Sequence, residues 1–116
     1  MEYQLTEAAD QDLIDILRET AREFGRLQRH RYAQLIQRAI EMIANSPERP
    51  GSRRRDDLGS GVRSFHVELA ARRRGSASHV IYYLRGQLDD GGDGVIIARV
   101  LHERMEPLRH LTRDLP

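Results

Sequence analysis

The sequence predicts a single α+β domain. Three observations carry that expectation. Two amphipathic helical runs follow each other between Glu7 and Ile43, and three strand-like runs follow them between Val62 and Leu101. The chain of 116 residues suits one core. Helices segregated from strands in this way favour α+β over a doubly wound sheet. At this length about two-thirds of the unfolded surface is buried on folding, enough for one domain over residues 1–116.

Glu2 to Leu5 alternates, with Tyr3 and Leu5 on one side, and reads as a first strand. Thr6 is placed to cap a helix whose first turn carries Glu7 and Asp10, where carboxylates suit the helix dipole. Leu13, Ile16, Leu17, Thr20 and Phe24 form its apolar stripe, and Asp12, Asp15, Arg18, Glu19, Arg22 and Glu23 its polar face. Gly25 ends it, because a helix terminus there calls for positive φ.

The second helix shows Tyr32, Leu35, Ile36, Ala39, Ile40 and Ile43 at helical spacing. A short connection between two such stripes predicts an antiparallel helical hairpin. Pro47 stops it by disfavouring helical geometry at Ser46. Glu48 to Gly61 is charged and rich in Pro and Gly, and reads as a loop in which Arg53 to Arg55 are answered by Asp56 and Asp57.

Val62 to Leu69, His79 to Leu84 and Val95 to Leu101 are then expected to make a three-stranded antiparallel sheet. Its turns are Arg72 to Ser76, a solvated basic tip, and Gly86 to Gly94. A short C-terminal helix or loop containing Pro107 closes the chain. Val80 to Leu84 and Val95 to Ala98 are apolar at consecutive positions. Both faces of the sheet therefore need cover, and a helical hairpin supplies only one. The second cover is expected from the C-terminal tail or from another protein.

Composition removes several kinds of chemistry. The 19 basic residues are all arginine, set against 18 acidic ones. Lysine general bases and Schiff bases are thereby excluded, and every cation is a planar fork suited to carboxylate or phosphate. The absence of cysteine removes disulfides, thiol nucleophiles and thiolate metal sites. His30, His66, His79 and His110 have no metal-like spacing with carboxylates, so no cofactor or metal is expected. No apolar run approaches the roughly 20 residues of a membrane span, and Met1 leads straight into a polar strand. A cytoplasmic protein is expected.

The order of short motifs resembles one known family. Ala9-x-x-Asp12-Leu13-x-x-Ile16 looks like the opening of the RelE/ParE toxins, as do Phe24-Gly25, Gln28 and Tyr32. The Pro47 loop leading to Gly61-Val62-Arg63-Ser64-Phe65 is similar to the family's loop and following strand, and Tyr82-Tyr83 sits at its aromatic strand. The stretch from Arg99 to Glu106, with Arg99-Val100-Leu101-His102, is close to the ending typical of the ParE branch. The resemblance covers nearly the whole chain.

It implies the toxin of a type II toxin–antitoxin system. A ParE-like member inhibits DNA gyrase by binding it. Its neutraliser is a ParD-like antitoxin that joins a DNA-binding dimerisation domain to a segment wrapping the toxin. Operator DNA is then reached only through the antitoxin, and no membrane is involved. Arg99, His102, Arg104 and Met105 are the expected target-binding residues, and Val80, Tyr82 and Ile97 the expected antitoxin-binding ones.

The same fold also serves ribosome-dependent mRNA endoribonucleases of RelE type, and a non-toxic member is a third reading. A nuclease must deprotonate a 2′-hydroxyl, protonate a leaving oxygen and stabilise a charged phosphorane. Arg63, Arg99 and His102 are the candidates for that work, with Tyr82, His66 or Glu103 as possible helpers. Each main candidate also has a structural reading. Arg63 can pair with an acid at the sheet edge, Arg99 can sit in a structural ion pair, and His102 can cap a strand end by hydrogen bonding.

Overall fold

A computed structural model describes residues 1–71 and 73–111. Strand β1 (Glu2–Leu5) leads into α1 (Glu7–Phe24) and α2 (Arg26–Asn45). Then come β2 (Arg53–Arg54), β3 (Arg63–His66), α3 (Glu68–Ala71), β4 (His79–Gln87), β5 (Asp93–His102) and α4 (Pro107–Leu111). The expected Thr6 cap is present: its hydroxyl accepts from the Ala9 N–H at 3.0 Å and donates to the Ala98 carbonyl at 2.7 Å. Gly25 joins the two helices at φ 90°, a backbone region that penalises any Cβ.

The sheet departs from the expected three antiparallel strands. It has five, in the order β1-β5-β4-β3-β2, and β1 runs parallel to β5. The helical hairpin thus carries the chain from β1 at one edge of the sheet to β2 at the other, and β3, β4 and β5 then return to pair beside β1. Gly94 lies opposite Glu2, where a Cβ would stand 2.5 Å from the Glu2 carbonyl oxygen, so the close parallel pairing relies on glycine there. Strand β2 is two arginines inside the segment read as a loop, and it pairs antiparallel with β3. The expected strand from Val62 to Leu69 stops at His66 and turns into α3. Of the basic tip, Arg72 lies outside the described residues, and Ser76 N donates to the Arg73 carbonyl within the turn.

The main core lies between the hairpin and one face of the sheet. Ile36, Ala39, Ile40 and Ile43 of α2 meet Phe65, Ile81, Tyr83, Val95, Ile97 and Val100. A bulge resets the parity of β5: Tyr82 lies opposite Arg99 but Tyr83 opposite Ile97, so Ala98 is the extra residue. Ile97 and Val100 can therefore both face the helices although three positions separate them.

The opposite face also has its cover, from the chain itself. Leu58 and Val62 of the loop and Leu111 of α4 pack on Tyr82, Ala98 and Leu101, with Val80 and Leu84 half-buried beside them. Of the residues expected to meet an antitoxin, Val80 and Tyr82 share that second face, whereas Ile97 is fully buried on the helix side. Phe24, expected on the apolar stripe, is instead 66% exposed at the hairpin tip.

Candidate functional site

Function is expected at the end of β5 and in the segment after it, and there the structure engages Arg99, His102 and Glu103 in hydrogen bonds within the chain. Arg99 grips both oxygens of Asp12 at 2.8 Å through Nε and Nη2, and its Nη1 donates to the His110 carbonyl at 3.0 Å. Asp12 also accepts from the Val100 N–H at 2.9 Å. The reason is topological. Strand β1 ends at Leu5 opposite Ile97, so β5 beyond that point has an open edge, and a carboxylate from α1 takes the place of a strand. One ion pair thereby links α1, β5 and α4. By periodicity Asp12 belongs to the polar face of α1, and the family-like motif around Ala9 and Leu13 is its only signal in the sequence.

Arg63 lies elsewhere and meets no acid among the described residues. Its Nε donates to the Ser52 hydroxyl at 2.8 Å and its Nη2 to the Ser52 carbonyl at 3.4 Å. The Tyr83 hydroxyl joins Ser52 and donates to the Pro47 carbonyl at 2.6 Å, which pins the loop before β2 to the sheet. His102 is a strand-end cap: its Nδ1 accepts from the Arg104 N–H at 3.1 Å. Arg63, Arg99 and His102 thus share none of these partners. The residues that follow are exposed, with Met105 at 42% and Arg104 beside it.

The arrangement that sequence reasoning missed is a ring cluster at this end of the sheet. His79 is opposite His102 in the β4–β5 ladder, and their rings meet edge to face with centroids 5.4 Å apart. The Tyr32 hydroxyl of α2 accepts from the Ser78 N–H at 3.3 Å and lies 2.6 Å from His79 Nδ1. The hydroxyl can donate to Nδ1 or accept from it, according to which imidazole nitrogen carries the proton. Nothing in the sequence links residue 32 to residue 79, since each belongs to an apolar run of its own element.

Burial, reinforced by the neighbouring His102, pushes the His79 pKa down to about 4. Nearby, His66 Nε2 donates to Glu103 at 2.8 Å, and that bond foremost holds the Glu103 carboxyl below its usual range. The sign for His79 follows from linkage. The unfolded imidazole takes up a proton near pH 6.5 and the folded one only near 4, so stability falls as pH drops through that window. Thermal melts at a series of pH values should show this loss, and His79→Gln should flatten it. An unchanged slope in the variant would remove His79 as its source.

Among the described residues no cluster of three or more His, Asp or Glu could hold a metal, and no helix is long and apolar enough to cross a membrane. Comparison with known proteins agrees with the motif order. A model of the ParE toxin of the type II toxin–antitoxin system parDE matches residues 3–107. Toxin ParE1 of Caulobacter vibrioides is 35% identical over 109 residues, spanning 94% of this chain and 96% of the relative.

Proposed function

This chain belongs to the ParE toxin family of type II toxin–antitoxin systems, and from that premise we propose that it arrests DNA gyrase by binding and is silenced by a ParD-like antitoxin. ParE toxins act by binding rather than by catalysis. One observation favours the gyrase reading over the mRNA endoribonuclease. The three residues a nuclease would need are held apart by separate structural tasks: Arg63 on Ser52, Arg99 on Asp12 and His110, and His102 on the Arg104 N–H. Catalysis at a phosphate needs them converging on one point.

The contact surface in this reading is the turn after β5, where Arg104 and Met105 are exposed, with His102 and Arg99 shaping it from beneath. The antitoxin wraps the toxin with a segment that orders on binding, spreading contacts over a large surface. Val80, half-buried on the second face, is a contact residue for it, with Tyr82 beneath.

The test pairs gyrase supercoiling with ribosome-dependent mRNA cleavage, run with wild type, His102→Gln and an Arg104→Ala/Met105→Ala double variant. Wild type is expected to inhibit supercoiling, and the double variant to lose inhibition by about 1 kcal/mol or more in binding. His102→Gln removes a local hydrogen bond, worth about 0.5–1.5 kcal/mol, together with the edge contact to the His79 ring. A nuclease relying on that imidazole would instead lose about 10²–10⁴-fold in rate. Ribosomal mRNA cleavage abolished by His102→Gln, with supercoiling untouched by wild type, would overturn the proposal.

A further inference from the structure

The tip of the helical hairpin is left uncovered, with Phe24 66% and Leu27 61% exposed. Beside it an open cleft of about 590 Å³ lies between α1, α2 and the segment Gly75 to His79. That is within the size range of ligand clefts. One part of its wall is aromatic: Phe24, Tyr32, His79 and His102 line it, the last three in the ring cluster described above. Glu19 and Glu23, one turn apart on α1, line it as well. Arg22 pairs with Glu19 at 3.1 Å on the open surface, while Glu23 has no ion pair among the described residues. Gln28 and Arg31 line the cleft from α2.

We propose that this cleft receives a basic side chain, arginine or lysine, carried between apolar residues of a partner polypeptide. Ring faces attract cations through their quadrupole, and the two carboxylates supply the matching charge. His79 adds no opposing charge at neutral pH, because burial keeps its imidazole uncharged. Among the described residues that line the cleft, Arg31 is the one formal cation. It suits a backbone carbonyl or an acidic neighbour of the incoming residue, and so orients the segment. Phe24 and Leu27 gain cover from the flanking apolar residues, which accounts for two large side chains left in water. None of this depends on the identity of the toxin's target.

The test is an NMR titration of the full chain with the peptide N-acetyl-Leu-Arg-Leu-amide and its Leu-Glu-Leu counterpart. The arginine peptide should produce saturable shifts at the ring signals of Phe24, Tyr32, His79 and His102. The Glu19→Gln/Glu23→Gln variant changes only exposed side chains, so its melting temperature should match wild type. Its affinity for the arginine peptide should fall by about tenfold, the scale of two exposed charge contacts. Equal shifts with the glutamate peptide, undiminished binding by the variant, or saturable shifts confined to other residues would each overturn the proposal. Ring shifts caused by a short oligoribonucleotide and not by the arginine peptide would overturn it in favour of base stacking.

Discussion

Asp12→Ala is expected to destabilise the fold by about 3 kcal/mol or more, the loss seen when one member of a buried ion pair is removed. The side chains of Asp12 and Arg99 are only 13% and 16% exposed, so water replaces the missing carboxylate poorly. Three donors lose their acceptor at once: Arg99 Nε, Arg99 Nη2 and the Val100 N–H. Some exposure remains, which places the effect near the lower end of the range. Arg99 also holds α4 through the His110 carbonyl, so the cover over Tyr82, Ala98 and Leu101 should loosen. Urea titration measures the first effect, and faster amide exchange in α4 the second. Adding Arg99→Met to Asp12→Ala should recover part of the loss, because the cation that has lost its carboxylate is then gone. A single-variant loss below about 1 kcal/mol would show that water replaces the carboxylate and that the pair contributes little.

Ile40→Ala is expected to cost about 2–5 kcal/mol through the cavity it leaves. Ile40 is 1% exposed and belongs to the cluster in which α2 meets Phe65, Ile81, Tyr83 and Ile97. Its β-branched side chain sits between a helix and a sheet that are each held by other contacts, so collapse into the void is restricted. The expected result is a lower urea midpoint with an unchanged slope, the sign of lost stability without a change in the denatured state. A loss below about 1 kcal/mol would mean that the helix has rotated or the site has closed over.

These two residues differ in how readable they are. Ile40 stands in a helical repeat with Ile36 and Ile43, and local periodicity alone assigns it to the core. Asp12 stands among Asp15, Arg18 and Glu19 on what periodicity calls a polar face. Only the end of β1 at Leu5 creates the open edge of β5 that Asp12 fills, 87 positions away from Arg99. The same contrast separates His102 from the rest of its cluster. A strand-end cap is a local arrangement of His102 with Arg104, whereas the Tyr32–His79 contact spans 47 positions and comes from hairpin and sheet meeting.

Local sequence alone specifies the helical hairpin, its Thr6 cap, the Gly25 joint, the stop at Ser46 and the apolar character of β4 and β5. Each of these depends on neighbours within a few residues, where propensity, capping and periodicity act. The tertiary structure alone decided the parallel β1–β5 pairing, the two-residue strand β2, the bulge at Ala98 and the burial of Ile97 beneath the helices. It also decided that loop and α4 cover the second face, and that Arg63, Arg99 and His102 take separate partners. Strand partners and ion pairs between distant segments depend on which edges the fold leaves open. An open edge belongs to the assembled sheet, and no single stretch of the chain records it.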